Sequence, residues 1–264
     1  MYEHSLTQER RWTVAKSNDI IRNSRYSLSV QQQKILLYMI SKIRPMDTGN
    51  EEYTFDIQEF CSVAGLDTSN GFYYVSLKRQ IKELRDSSVW VKVGKKEILL
   101  SWLNTVEMDE GSGTIKIKFH ETIQPYLFEL KEKYVSYRLN EVLVMRSKYS
   151  LQLYELLKSF AYGDAFHNYQ EVEVNYEPKQ LQVLLDAEKY DRYYNFKQRV
   201  LLPAIQEINE CSEEIHVEMK EERAGRAIKS VLFLITHAHG RQILNAREMK
   251  KDKYSKRTRK KSNS

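Results

Sequence analysis

The sequence predicts an α+β fold assembled from two tandem copies of one plan, each with the element order of a winged helix. Two stretches, residues 28–119 and 148–237, carry the same order of predicted elements. That order is a helix, a short strand, a helix-turn-helix pair and a β-hairpin. Gly and Pro are scarce, at 9 and 4 in 264 residues, which favours helices over a loop-rich fold. In a winged helix the last of the three helices can enter the major groove of DNA, and the hairpin can lie along the backbone.

The first copy is predicted from the period of its apolar residues and from its capping residues. Ser29 and Asp56 are the expected N-caps of its first two helices, and Gly65 is expected to end the second. The predicted elements are helix Leu28–Ile43, strand Tyr53–Phe55, helices Asp56–Ala64 and Phe72–Arg85, strands Val89–Val93, Glu97–Val106 and Thr114–Phe119, and a short helix Glu121–Leu130. A turn at Asp67–Gly71 joins the second and third helices.

The second copy repeats this order after a short polar connection, Lys131–Tyr137. The connection is not a Gly/Ser-rich linker, so we expect the two copies to be held in a restricted orientation. The predicted elements are helix Lys148–Ala161, strand Glu171–Val174, helices Glu177–Ala187 and Tyr193–Glu210, and strands Ile215–Lys220 and Ile228–His237. Pro203 lies inside the third helix, where we expect a kink.

Length and charge bound the domain organisation. The predicted division is an N-terminal arm (residues 1–15), a first winged-helix domain (16–132), a second (133–240) and a basic tail (241–264). The net charge is +6, but the tail holds ten Lys/Arg and two acids, so it carries +8 and the other 240 residues carry −2. The tail is expected to be disordered, either as a solubilising terminus or as a non-specific phosphate anchor.

The same composition also bears on the compartment of the protein and on membrane association. Cys61 and Cys211 lie in different copies and are expected to be reduced and buried in a cytoplasmic protein. The sequence contains no run of about 18 apolar residues, so we expect no membrane span. The polar segment Met1–Arg11 lacks the apolar core of a secretory signal.

The third helix of the first copy is the first candidate nucleic-acid surface. Tyr74, Leu77, Ile81 and Leu84 form its expected buried stripe. Polar and basic residues share the opposite side, namely Ser76, Lys78, Arg79, Lys82 and Arg85, and the following hairpin adds Lys95 and Lys96 at its tip. A basic stripe of this kind also occurs on ordinary solvated helices. Its place directly before a hairpin favours the DNA-binding interpretation.

The third helix of the second copy is the stronger candidate. Arg192, Asn195 and Arg199 follow at i, i+3 and i+7 on the face away from the apolar stripe, with Gln198 flanking and Lys197 closer to the packed side. Arg reads guanine and Asn reads adenine with paired hydrogen bonds in the major groove. The alternative is a polar helix start without a partner. The expected backbone contacts from the second hairpin are Lys220, Arg223, Arg226 and Lys229.

Motifs of catalysis and cofactor binding are missing from the sequence. It has no phosphate-binding glycine loop, dinucleotide fingerprint, nucleophile elbow, paired-histidine zinc helix or Cys-x-x-Cys. We therefore expect no cofactor, no metal and no enzymatic activity. One alternative is a metal-dependent rolling-circle nickase that uses His237, His239 and Tyr254. It is disfavoured because a nucleophile in a disordered tail is not held in attack geometry.

Several motifs resemble plasmid replication initiators of the tandem-winged-helix Rep family. The resemblance runs from about Lys16 to Thr236. The motifs that carry it are Ser147-Lys148-Tyr149-Ser150-Leu151 followed by Leu153-Tyr154-Glu155-Leu156-Leu157, then Phe196-Lys197, Val200-Leu201, Pro203-Ala204-Ile205 and Glu207-Ile208-Asn209, and the opening Asn18-Asp19-Ile20-Ile21 with Leu28-Ser29 and Gln32.

The resemblance implies a function for both copies. Such proteins bind double-stranded direct repeats in the plasmid origin and help to open the origin. They also recruit the host replication initiator and helicase machinery. It implies that the second domain makes most specific contacts and that the first adds contacts and a homodimer interface. Monomers would initiate replication and dimers would repress the protein's own promoter. A chromosomal winged-helix transcription regulator remains an alternative.

Overall fold

The computed structural model describes residues 12–65, 72–162, 166, 171–225 and 227–238. The first part of the described chain contains β1 (Thr13–Ser17), α1 (Asn18–Arg22), β2 (Ser24–Arg25), α2 (Val30–Ile40), β3 (Tyr53–Asp56), α3 (Ile57–Ala64), α4 (Tyr73–Asp86), β4 (Ser88–Val93), β5 (Lys96–Ser101), β6 (Leu103–Asp109) and β7 (Thr114–Phe119). We call the segment from α2 to β7 the first unit. The predicted turn at Asp67–Gly71 lies outside the described residues, whereas the helices on either side of it, α3 and α4, are described.

The second part of the chain begins with a 3₁₀ turn, Gln124–Tyr126. It continues with β8 (Tyr134–Arg138), α5 (Asn140–Leu143), α6 (Lys148–Lys158), β9 (Val172–Tyr176), α7 (Pro178–Leu184), α8 (Tyr193–Phe196), a π-helical turn (Lys197–Leu201), α9 (Leu202–Cys211), β10 (Ile215–Ala224) and β11 (Ala227–His237). We call the segment from α6 to β11 the second unit. None of the helices in the described part of the chain is long and apolar enough to cross a membrane.

The predicted helix caps are confirmed. The Ser29 hydroxyl accepts from the Gln32 backbone N–H, and the Gln32 side chain accepts from the Ser29 N–H, which makes a reciprocal capping box at α2. The Asp56 carboxylate accepts from the Glu59 N–H at the start of α3, and Gly65 ends that helix with a left-handed φ of 67°. These contacts span three or four residues, which is why the local sequence predicts them.

The second unit forms a three-stranded antiparallel sheet beside its helices. The strand order is β10–β11–β9, so the short strand that follows the first helix pairs with the long hairpin. The hairpin is longer than the predicted strands, because β10 extends from Ile215 to Ala224. Its outer part projects beyond β9, which pairs with β11 only from Val231 to Ile235. A projecting two-stranded hairpin is the wing that the sequence predicts.

The strand predicted over Glu97–Val106 is wrong, because the chain changes sheets within it. Trp102 is fully buried between β5 and β6, and the two strands belong to different sheets. β5 joins β4 and β2, whereas β6 joins β7 and β3. The strand that follows α2 therefore pairs with the β6–β7 hairpin. By sheet pairing, β6–β7 is the equivalent of the second unit's wing, and β4–β5 is an additional hairpin.

Two further predictions around the connection between the units need correction. The helix expected over Glu121–Leu130 is wrong, since only the 3₁₀ turn Gln124–Tyr126 forms, with Pro125 inside it. Much of the polar segment Lys131–Tyr137 belongs to β8, which pairs antiparallel with β1. A strand near the start of the chain thus lies against a strand that leads into the second unit. No local pattern indicates such a pairing, because its partners are far apart in sequence.

The cores of the two units are continuous. One cluster of buried apolar side chains includes Tyr38 on α2 and Trp102 in the first unit, and Tyr154 on α6 and Phe196 on α8 in the second. The predicted apolar stripe of α4 is confirmed at Leu77, Ile81 and Leu84, while Tyr74 is half-buried. Cys61 and Cys211 are both free thiols; Cys61 is buried, as expected, and Cys211 is half-buried.

Candidate nucleic-acid interface

The recognition-helix candidate of the second unit runs from α8 through a π-helical turn into α9. The Leu202 N–H donates to the Lys197 carbonyl, one residue further back than in an α-helix, and Pro203 follows without an N–H of its own. The predicted irregularity near Pro203 therefore takes the form of a wide turn in the preceding residues. Phe196, Val200 and Leu201 are buried, and they fasten this turn to the core.

The outer face of this helix borders a shallow open groove. The residues that line the groove are Lys189, Tyr190, Asp191, Arg192, Asn195 and Arg199. The structure thus brings together the three residues predicted to read bases. Arg192 and Arg199 are exposed and form no ion pair with any residue that the structure describes. Their guanidinium groups and the Asn195 amide are the donor sets that pair with guanine and adenine edges. Gln198 is exposed beside them.

Lys197 is placed differently from its neighbours. Its ammonium group lies 2.6 Å from the Glu221 carboxylate on β10, and only 28% of its side chain is exposed. The Tyr193 hydroxyl donates to the same carboxylate at 3.0 Å. The first turn of the helix is therefore joined to the wing by an ion pair and a hydrogen bond.

The wing presents basic side chains near its outer part. Lys220, Arg223 and Lys229 are exposed, as expected. A β-bulge lies between Glu222 and Arg223, so Arg223 pairs with Ile228 instead of Lys229. Gly225 turns the hairpin with a φ of 64°. Arg226, also predicted as a contact, lies outside the described residues.

On α4 of the first unit, the basic residues divide into two groups. Lys78 and Arg79 are exposed, and neither forms an ion pair with a described residue. Lys82 and Arg85 both contact Asp86, at 2.5 Å and 3.3 Å, and these hydrogen bonds hold the pKa of Asp86 below its ordinary value. Lys78 and Arg79 are therefore the two of the four that share no described carboxylate. Ser76 is half-buried.

The β4–β5 hairpin carries Lys95 and Lys96 at an exposed tip, after Gly94 with a φ of 63°. Trp90 and Leu99 form a cross-strand pair on the hairpin, and both are about half exposed. The tip of the equivalent wing, β6–β7, contains Asp109 and Glu110 and no basic residue. In the first unit the basic tip therefore lies on the additional β4–β5 hairpin, whereas in the second unit the basic residues lie on the wing itself.

Profiles of one protein family match both units. The profile described as "Initiator Replication protein, WH1" matches residues 13–158, and that described as "Initiator Rep protein, WH2" matches residues 178–235. The chain belongs to the family of initiator replication proteins. The chain has two winged-helix domains, as the sequence predicted, and the WH1 match extends through α6, which we place in the second unit.

Two relatives of this initiator are similar over most of its length. A curated replication initiation protein of Escherichia coli is 24% identical over 228 residues, which is 84% of this chain and 69% of the relative. The crystal structure of the Pi initiator protein in complex with iteron DNA matches with a TM-score of 0.68 at 20% identity. That match covers 86% of this chain and 98% of the other. The structural likeness shows the same fold.

Three residues at the groove of the initiator were not predicted from the sequence. Lys189, Tyr190 and Asp191 line the groove ahead of the helix. Tyr194 on α8 is 70% exposed but does not line the groove. Lys189 precedes the helix, so its place in the groove depends on the path of the loop.

The histidine pair of the nickase alternative is only partly within the described chain. His237 ends β11, and its ring contacts that of Phe166 at 5.7 Å. His239 and Tyr254 lie outside the described residues. Among the described residues, no cluster of three or more His, Cys, Asp or Glu side chains is arranged to hold a metal ion.

Proposed function

We propose that this initiator binds direct repeats in a plasmid origin as double-stranded DNA and reads them with the second unit. The observation that carries the proposal is the groove in which Arg192, Asn195 and Arg199 converge. Asp191 also lines this groove, but neither arginine forms an ion pair with a described residue. Gln198 and Arg199 are exposed on the same helix, and Lys220 and Lys229 on the wing are available for the flanking phosphates. The Pi initiator, which shares the fold, was crystallised with iteron DNA.

The first unit is proposed to add affinity with little sequence information. Lys78 and Arg79 on α4, with Lys95 and Lys96 on the β4–β5 tip, are exposed cations that suit phosphate oxygens. Gln80, the amide on α4, is buried and accepts a hydrogen bond from the Ser29 hydroxyl. An amide held in this way is not available to an adenine edge.

The remaining steps of initiation are proposed from family membership. The bound protein helps to open the origin and recruits the host replication initiator and helicase machinery, while its homodimer represses its own promoter and so limits plasmid copy number. It acts without a cofactor, a metal or a catalytic step. Its two free thiols suit the reducing cytoplasm.

Footprinting of the intact chain on DNA that flanks its own gene tests this function. We expect protected repeats, in the same orientation and about two helical turns apart, beside the gene. Replication of a plasmid that carries those repeats should then require the protein in trans. A single protected inverted site, with no dependence of replication on the protein, would indicate a transcription regulator instead. Nicking of supercoiled DNA in Mg²⁺ or Mn²⁺ would show an enzyme.

A further inference from the structure

Glu221 joins the two parts of the proposed DNA surface. It lies on β10 opposite Val231, where the wing leaves the body of the second unit. Its carboxylate contacts Lys197 at 2.6 Å and Arg223 at 3.5 Å, and it accepts a hydrogen bond from the Tyr193 hydroxyl at 3.0 Å. Two of these partners belong to the recognition helix and one belongs to the wing.

The carboxylate is well placed to stay charged. Only 15% of its side chain is exposed, and the hydrogen bonds from Lys197, Tyr193 and Arg223 hold the pKa of Glu221 below its ordinary value. Burial, and after it the hydrogen bond to Glu221, raise the pKa of the Tyr193 hydroxyl. The Glu221 carboxylate is therefore an anion at neutral pH and is largely shielded from solvent.

The two cations lie on the helix and on the wing, and neither of them lines the groove. Lys197 lies two residues after Asn195 on the helix, and Arg223 lies on β10 of the wing. Without the carboxylate, two full positive charges would stand beside any duplex that approaches. With the carboxylate present, Lys197, Arg223 and Glu221 together carry a net charge of about +1. None of the three base-reading candidates contacts Glu221 in the described structure.

We propose that Glu221 is a specificity-determining residue, which keeps Lys197 and Arg223 from binding the phosphates of random DNA and holds the wing against the recognition helix. The proposal rests on the proposed function of the second unit. Non-specific affinity grows with the number of cations that can displace counterions from the duplex. Base readout depends on the side chains in the groove. Withdrawing cations therefore weakens binding to random DNA more than binding to the correct repeat.

The test is Glu221→Gln in the full chain, with affinity measured for the footprinted repeat and for a random duplex over a range of salt. We expect affinity for random DNA to rise about tenfold near 0.1 M salt. The slope of log affinity against log salt should steepen by about 0.9, the value of one additional phosphate contact. Affinity for the repeat should rise less, so the ratio of specific to random affinity should fall several-fold.

Two variants separate this effect from a general change in charge. Glu222→Gln removes an acid from the next position of the same strand, where the carboxylate contacts Ser230 and Asn175, lies near Lys229 of the wing, and contacts no cation of the helix. It should leave the ratio of affinities unchanged within about twofold. In Glu221→Gln/Lys197→Met, most of the gained affinity for random DNA should be lost again, because Lys197 supplies it.

The outcomes distinguish failure of this proposal from failure of the proposed function. A wild-type chain without preference for any flanking duplex would refute the function. If that preference exists, equal changes on both DNAs in Glu221→Gln, or the same effect in Glu222→Gln, would refute the role of Glu221. If Glu221→Gln fails to fold, the Lys197→Gln variant tests the role of Glu221 instead. It should leave the salt slope on random DNA unchanged, whereas a loss of about 0.9 would show that Lys197 already binds phosphate.

Discussion

Two glutamines on corresponding helices of the two units differ in burial, and this difference decides whether the amide can contact a base. Gln80 on α4 is buried, and its carbonyl oxygen accepts from the Ser29 hydroxyl. Gln198 on the π-helical turn is exposed next to Arg199. The same amide is thus a packing group in the first unit and a candidate base contact in the second. This difference supports the prediction that the first unit is the weaker reader of sequence.

Arg199→Ala should weaken binding to the footprinted repeat by about 1–3 kcal/mol, the cost of one paired contact to a base. Binding to random duplex should change much less. Competition binding at fixed salt measures both losses. Arg44→Ala is the matched control, since Arg44 is exposed in the segment between α2 and β3 and loses the same charge. An equal loss on both DNAs would make Arg199 a phosphate contact, and no loss would place the reading helix elsewhere.

At the scale of elements, the π-helical turn sets the geometry of the groove. It lies between Asn195 and Pro203, and it contains Arg199. A π-turn inserts one residue per turn relative to an α-helix, so it rotates the side chains that follow. The missing N–H of Pro203 removes one of the hydrogen bonds that would favour a regular helix. We expect that the proline thereby helps to direct Arg199 into the groove beside Asn195.

Pro203→Ala should allow a regular helix and so misalign Arg199 with Asn195. We expect the free energy of unfolding to stay the same or to rise by up to about 3 kcal/mol, because the missing hydrogen bond can form. Affinity for the repeat should fall about tenfold, the cost of one misplaced base contact. Urea unfolding and competition binding measure the two effects. Pro178→Ala, at the first turn of α7, is the control. Full affinity in a more stable Pro203→Ala chain would show that the turn does not position Arg199.

At the scale of the molecule, the two units are joined by polar contacts as well as by a shared core. Lys16 on β1 lies 2.5 Å from Glu155 on α6, with 3% and 4% of the two side chains exposed. The Tyr137 hydroxyl on β8 donates to the same carboxylate. The Arg22 guanidinium donates to the Ser159 carbonyl just after α6 and lies 3.7 Å from the centre of the Phe160 ring. These contacts support the expectation of a restricted orientation.

Lys16→Met should destabilise the fold by about 3–5 kcal/mol, because it leaves a buried carboxylate without its cation. Lys16→Met/Glu155→Gln should regain most of this loss, since the amide is neutral and still accepts from Tyr137. Urea unfolding of each chain measures the free energies. Lys116→Met is the control, because its ion pairs are exposed and their loss should cost less than about 1 kcal/mol. A small effect of Lys16→Met would show that the pair does not hold the units together.

Removing Lys250–Ser264 takes away eight basic residues and one acid. If this segment anchors phosphates, affinity should fall alike for the repeat and for random duplex, and the salt dependence should flatten. The ratio of the two affinities should stay unchanged, because the base-reading residues lie in the second unit. A full-length chain with the eight basic residues replaced by Gln should behave like the truncated one. A loss of preference for the repeat in either chain would contradict a purely electrostatic role.

The sequence by itself determined the local features of this protein. Ser29, Asp56 and Gly65 predicted helix ends correctly, since each cap acts on residues within one helical turn. Arg192, Asn195 and Arg199 were placed on one face by the helical period, which depends only on local backbone geometry. The duplicated order of elements was enough to predict two winged helices.

Only the tertiary structure decided which distant residues meet. Trp102 is buried between the end of β5 and the start of β6, which belong to different sheets, and strand periodicity cannot show which sheet a strand joins. The pairing of β1 with β8 and the buried ion pair of Lys16 with Glu155 bring together residues more than a hundred positions apart. Glu221 and Lys197 meet for the same reason: the wing folds back onto the recognition helix. Contacts of this kind depend on how the whole chain packs, and no local pattern encodes them.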